Sequence, residues 1–596
     1  MLLSDIDTWN VGALQSIAHE LGGELTTIEG VASDLELISR LPGWDSPAAD
    51  AARGKIAEST GKVLDDAAVI GAVQQLASET AAAVAKLHTE LESIRADIAA
   101  QGGYLSLSDE GDVTITAPED MHDELQPIAD NIEARAKALI HQAEDIDADC
   151  AEVFGHVENG DISAKGATDV PGAQEMGREQ SGLSAPYPPE GEGTRPEDVK
   201  AWWDALSEEE QNAVKAEHPD WIGNRDGVPV PDRSDVNKAS LDRELTDVRR
   251  QLDELGSRED FIRNSEYDAQ TAGNIYTERY GALQSRLDNA EAMKRALSVD
   301  GKPEKGYDPD RYLMLLEFPD GRDPRAAIAI GNPDSAEHVS VTVPGMDTHA
   351  TSLPDMADEA GALRQTAERQ LLLAGRGDEE VAAIAWFGYD PPDTTDGSLL
   401  EALGERRANE AAPDLAEFYR GINATNEHGS DVHLSAFGHS YGSMATAQAL
   451  YELGETGVVD DAVFYGSPGL GHTDETIGWG PLERAVPIMD ESDLNMGDKH
   501  VYVMSSPDDP VSGNPTPFGG LGDLNQFGPN PMDLPFERLS TDAAVTGIDQ
   551  VPRDASHGHS DYPRSTDNGL RTAGYNLAIV AAGLADDPDH PDLLVR

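Results

Sequence analysis

One five-residue stretch constrains this chain more than any other: Gly438-His439-Ser440-Tyr441-Gly442. Ahead of it, Val432–Phe437 is an apolar run of strand length. Behind it, Ser443–Leu450 is built from strong helix formers. A strand that must become a helix within five residues needs a tight turn, and glycine at both ends lets the two elements approach closely. The serine between them is held in a strained turn with its hydroxyl presented. The helix start supplies free N–H groups and a positive dipole end beside it. The pattern alone is weak evidence; its flanks make Ser440 a candidate nucleophile.

The surrounding sequence fits that turn into a larger pattern. From Tyr312 onward, short β-rich runs alternate with helical spacing. The runs are Tyr312–Phe318, Ala326–Ile330, Val339–Val343, Val381–Phe387, Val432–Phe437, Asp461–Tyr465 and Val501–Met504. Met356–Leu373 and Met444–Leu453 are helical segments between them. This alternation predicts an α/β domain over residues 301–596, a mostly parallel sheet with helices on both faces.

A serine needs a base, and the base needs an orienting acid; in this arrangement they follow in the order Ser, acid, His. Val501–Met504 ends in Ser505-Ser506-Pro507-Asp508-Asp509-Pro510-Val511, which places an acid just past a late strand. Asp509 is favoured and Asp508 is the alternate, as a turn cap. The base comes from His557-Gly558-His559, with His559 favoured and His557 the alternate. A metal held by this histidine pair lacks a third ligand of suitable spacing. His439 is read as a packing or pocket residue, and His590 as solvent-exposed. The oxyanion hole needs two backbone N–H groups: that of Tyr441, and one from the loop after an earlier strand, best placed at Met346 in Pro344-Gly345-Met346. No cofactor is expected.

Residues 1–155 read as helical. Leu14, Leu21, Ile28 and Leu35 fall seven apart, with Ile17 and Val31 between them. The chain breaks at Leu41-Pro42-Gly43-Trp44. Ser46 then caps a longer helix with Pro47 in its first turn, carrying Ile56, Val63, Ile70, Ala77, Val84 and Leu91. A hairpin signal follows at Tyr104–Ser106 and Val113–Thr116. A third helix carries Leu125, Ile132, Leu139, Ile146 and Val153, with Cys150 on its flank as a small buried hydrophobe. Residues 156–198, rich in Gly, Pro, Glu and Ser, read as a disordered linker. Residues 199–300 read as a helical connector, with Trp202-Trp203 as packing anchors against the next domain.

Charge excludes whole classes of partner. Lys and Arg total 43 against 112 Asp and Glu, a formal net charge of −69. A chain so acidic, without a basic stripe, is no nucleic-acid binder. The lone Cys150 leaves no disulfide framework. The start, MLLSDIDTWN, has neither a basic nor an apolar leader region. The expectation is therefore a cytoplasmic protein or one exported without a Sec-type leader, and no transmembrane segment.

The set Val343-Pro344-Gly345-Met346, Ala436–Ser443, Tyr465-Gly466-Ser467-Pro468-Gly469 and His559-Ser560-Asp561-Tyr562 resembles an actinobacterial α/β-hydrolase family of unassigned substrate. The likeness spans roughly residues 300–585. The N-terminal region is similar in design to the helical-hairpin proteins of type VII (ESX) secretion. Trp44 lies where those proteins carry a W-x-G turn; here the turn reads Trp44-Asp45-Ser46. Together these features imply a serine hydrolase acting on small-molecule or lipid esters through an acyl-enzyme. The alternative is a secretion-associated protein that docks a helical partner and keeps a vestigial hydrolase fold.

Overall fold

The structure, a computed structural model, describes all residues except 42–45, 119–120, 181–187, 190–193, 207, 299–309, 320–321, 394–403, 455–456, 478–483, 498 and 513–526. The chain divides into two compact units, Met1–His218 and Pro219–Arg596.

The first unit is helical. Helix α1 (Val11–Ser39) starts where the Asn10 side chain accepts from the Ala13 N–H. Helix α2 (Pro47–Ala100) runs 54 residues, capped by Ser46 as the sequence predicts. A short antiparallel pair, β1 (Leu105–Leu107) and β2 (Val113–Ile115), leads into α3 (His122–Asn159). The expected stripe of α3 packs on α2: Leu125, Ile132 and Leu139 cluster with Leu87, Leu91 and Ile94. On α1, Ile17 and Val31 depart from expectation; they are 46% and 45% exposed, because the packed stripe runs through Leu25. Trp44 lies outside the described residues. Cys150 is half-buried, with its Sγ 3.6 Å from Thr80 Oγ1, and burial pushes its thiol pKa up.

Two sequence expectations change here. The stretch 156–198 contains helix α4 (Val170–Gln180), which packs on α2. A Cβ on Gly177 would lie 1.9 Å from the Ala68 carbonyl oxygen. A glycine that reads as flexibility is thus a close-packing position. The tryptophan pair stands on α5 (Pro196–Ala205) and belongs to the first unit. Trp203 is buried there under Lys215 Nζ, 5.8 Å from its ring centroid.

The second unit opens with α6 (Val230–Leu255) and α7 (Ala269–Ala296). Strands β3 (Arg311–Glu317), β4 (Arg325–Ile330) and β5 (His338–Val343) follow. Next come α8 (Leu353–Leu373), β6 (Val381–Phe387), α9 (Arg406–Thr425), β7 (His433–His439) and α10 (Gly442–Leu453). The chain continues through β8 (Asp461–Tyr465), β9 (His500–Met504), β10 (Glu537–Arg538) and α11 (Thr572–Ala581). The eight strands lie in the order β10-β9-β8-β7-β5-β6-β4-β3. Strands β10 through β6 pair in parallel, and β4 and β3 close that edge antiparallel.

Burial on both faces explains the unbroken apolar strands. All seven residues of β6 are buried. On one face Val339, Val341 and Ala436 pack against Leu415 of α9 and Met444 of α10. On the other, Phe437 and Val463 pack with Leu363 of α8 and Leu577 of α11. From β5 the chain steps outward to β6, then crosses back to β7 on the far side of β5. This reversal opens a crevice beyond the carboxyl ends of β5 and β7, where open α/β sheets bind ligands.

Candidate active site

Strand β7 delivers Ser440 to that crevice. In the register, Gly438 pairs with both Val343 of β5 and Phe464 of β8, so the turn emerges between two neighbours. The two flanking glycines are required by contact. A Cβ on Gly438 would lie 2.6 Å from Ser443 Cα, and one on Gly442 2.4 Å from the Val343 carbonyl oxygen. Between them Ser440 takes φ 54°, a left-handed conformation that a non-glycine residue adopts only under strain. Its N–H donates to the Tyr465 carbonyl at 3.0 Å, and the residue is 2% exposed.

The three favoured residues meet. Ser440 Oγ lies 2.8 Å from His559 Nε2. His559 Nδ1 is 3.0 Å from each carboxylate oxygen of Asp509. Asp509 is fully buried, and its oxygens accept from other donors too. Tyr562 O–H donates to Oδ2 at 2.6 Å and the Val511 N–H to Oδ1 at 2.8 Å. Burial alone would raise the Asp509 pKa. The His559 hydrogen bond and charge, with Tyr562 and Val511, outweigh it and hold the carboxyl below its usual range.

The two alternates stand apart from this line. Asp508 is exposed and accepts from the Gly558 N–H at 2.8 Å, which lowers its pKa. His557 Nδ1 lies 3.7 Å from Asp508, with the imidazole 68% exposed. Asp508 therefore ties down the backbone just before His559. Ser506 Oγ adds a second tie, donating to the Gly558 carbonyl at 2.7 Å.

His439 has a specific job that its sequence context did not reveal. Its Nε2 lies 2.8 Å from the carbonyl oxygen of His559. A carbonyl only accepts, so Nε2 carries the proton. The ring stacks on Tyr465 at 5.0 Å. Burial, then the neighbouring His559, pushes the His439 pKa down to about 4, which keeps it neutral. Tyr562 was also missed as a partner of the acid. It stood in the quoted His559–Tyr562 run, but only the fold brings its hydroxyl to Asp509 and to the Ser506 N–H, 2.9 Å away. His590, expected in solvent, is partly covered, its Nδ1 3.1 Å from Asp587.

The loop after β5 runs directly over the serine. A Cβ on Gly345 would sit 2.5 Å from Ser440 Cβ and 2.9 Å from its Oγ. Tyr389 O–H fixes the loop by donating to the Pro344 carbonyl at 2.6 Å, and the Asp347 N–H donates to Pro392 at 3.0 Å. Neither the Met346 N–H nor the Tyr441 N–H donates to a backbone carbonyl among the described residues. Among those residues, no cluster of His, Cys, Asp and Glu could hold a metal ion, and no helix is long and apolar enough to cross a membrane.

A family model described as alpha/beta hydrolase matches residues 320–518. The uncharacterized protein Rv0963c of Mycobacterium tuberculosis is 35% identical over 232 residues, 38% of this chain and 75% of the relative. The uncharacterized protein Rv2079 of the same organism is 30% identical over 429 residues, 67% of this chain. The match spans 58% of that relative's own length. Among solved structures, the poly(3-hydroxybutyrate) depolymerase LpqC from Bordetella parapertussis is 14% identical, covering 50% of this chain and 95% of that one, with a TM-score of 0.24. The chain belongs to the family of these mycobacterial relatives, and its C-terminal part is an alpha/beta hydrolase domain.

Proposed function

We propose that this domain is a serine hydrolase that cleaves esters through an acyl-enzyme. His559 Nε2 takes the proton from Ser440 Oγ as the oxygen attacks the ester carbonyl. The tetrahedral oxyanion is held by the Tyr441 and Met346 N–H groups, which flank the serine and the Gly345 close to it and donate to no backbone carbonyl among the described residues. Its collapse expels the alcohol, which leaves with the proton from His559. Water, deprotonated by His559, then attacks the acyl-serine, and the acid leaves as Ser440 Oγ takes that proton back from His559. Asp509 holds the His559 Nδ1–H and stabilises the imidazolium. Small-molecule or lipid esters are the substrate class.

The observation that carries this reading is the unbroken hydrogen-bond line from Ser440 through His559 to Asp509, at 2.8 and 3.0 Å. The test is labelling with a fluorophosphonate probe, with turnover of nitrophenyl esters of varied chain length. Wild-type protein should label and turn over, and Ser440→Ala should do neither while melting normally. Labelling that persists in Ser440→Ala would sink the assignment.

A further inference from the structure

A cavity of about 340 Å³ opens at the antiparallel edge of the sheet, lined from β3, β4, the end of β6, α6 and α9. It shares no lining residue with the Ser440 site. Two of its arginines are under-used. Arg233 on α6 is 2% exposed and makes one side-chain hydrogen bond, to Asp226 Oδ1 at 2.7 Å. Its Nε is buried without a partner among the described residues. Arg325, at the start of β4, is only 3.6 Å from Glu317 and 3.7 Å from Asp414 through Nη1, too far for hydrogen bonds. Its Nε is likewise buried and unpartnered. Arg553, also buried in this unit, shows the ordinary outcome: it donates to Thr546, Asp549 and the Leu570 carbonyl. Leaving guanidinium donors unmet in a half-closed space is costly unless something else meets them.

The charges around the cavity decide what that something is. An anion would satisfy the guanidiniums but face Asp226, Glu317, Asp414 and Glu417. A cation would meet those carboxylates and be repelled by the arginines. A neutral polyhydroxyl molecule suits both, since each hydroxyl accepts from an N–H and donates to a carboxylate. Leu315, Trp386 and Phe418 give the cavity an apolar side for the C–H face of a ring. The volume lies at the small end of the range for small-molecule sites, about 300–1,000 Å³.

We propose that this cavity binds a neutral sugar of one or two rings, separately from Ser440. The test is saturation-transfer NMR on the full chain, using D-glucose, D-galactose and maltose as probes at millimolar concentrations. At least one sugar should receive saturation from the wild type and equally from Ser440→Ala. Its affinity should fall about tenfold or more in Arg325→Gln and in Glu417→Gln. Both positions reach solvent, so melting curves should match the wild type. Acetate, phosphate and ethanolamine should not displace the sugar. Absence of transfer to all three sugars would overturn the proposal, as would unchanged affinity in both variants. Displacement by acetate or phosphate would overturn it in favour of an anion site.

Discussion

Replacing Asp509 with asparagine removes one charge and almost no volume, yet its consequences follow from the contacts of each oxygen. Oδ1 accepts from the Val511 N–H at 2.8 Å, a fixed donor that the new amide NH₂ cannot face. The asparagine must therefore put its oxygen there and its NH₂ at the Oδ2 position, beside Tyr562 and His559. His559 Nδ1, 3.0 Å from both positions, then meets a donor as well as an acceptor. The tautomer with Nε2–H becomes competitive, and that nitrogen cannot take the proton of Ser440. The imidazolium also loses its counter-charge. The loss in kcat should be on the order of 10³–10⁴, or about 4–5 kcal/mol of barrier. Asp508→Asn keeps an oxygen for the Gly558 N–H and should stay within about threefold of wild type. Stopped-flow or steady-state hydrolysis of a nitrophenyl ester, with melting curves to confirm folding, makes the comparison. Equal losses, or a greater loss in Asp508→Asn, would refute this assignment of the acid.

Three further perturbations probe other parts of the molecule. Gly345→Ala places a Cβ 2.9 Å from Ser440 Oγ; kcat/KM should fall at least about 100-fold through displacement of the reacting oxygen, and a near-normal rate would show that the loop can give way. His439 has a folded pKa of about 4, below its ordinary value of 6.5, so the unfolded chain binds the extra proton between those values and stability falls as pH drops through that window. In His439→Gln, which can still donate to the His559 carbonyl, unfolding free energies from urea titrations at pH 7 and pH 4.5 should differ less than in wild type, by on the order of 2 kcal/mol; an unchanged difference would remove His439 from the acid response. A fragment of residues 219–596 should express solubly and label with the fluorophosphonate probe, because the compact second unit begins at Pro219; an insoluble or inert fragment, with the full chain active, would show that catalysis needs the helical unit.

The parts of the fold that follow from local pattern were readable. Strand β6 occupies Val381–Phe387 as predicted, since seven consecutive apolar residues bounded by turns have few alternatives. Ser46 and Pro47 marked the start of α2 because capping is a matter of adjacent residues. The structure buries Asp509 against His559 and leaves Asp508 exposed at the Gly558 N–H, a difference that two adjacent aspartates do not encode by themselves. What escaped depends on contacts distant in sequence. The antiparallel pairing of β4 with β6 joins strands separated by a helix and another strand, which no periodicity encodes. Helix α4 hid in a glycine-rich stretch, because close packing and flexibility select the same residue. Trp202 and Trp203 read as packing anchors against the next domain, but Trp203 is buried within the first unit, because composition cannot say which neighbour buries it. His439 and Tyr562 act on backbone and carboxylate groups 120 and 53 residues away.

The left-handed φ of Ser440 also bears on the stability of the turn. A side chain there costs on the order of 1 kcal/mol or more relative to glycine, which adopts this conformation freely. Ser440→Gly would release that strain but widen the freedom of the unfolded chain, so the two effects oppose each other in the melting temperature. The strain is carried by the turn as a whole, because the backbone contacts of Gly438 with Ser443 and of Gly442 with Val343 leave the residue between them no wider path.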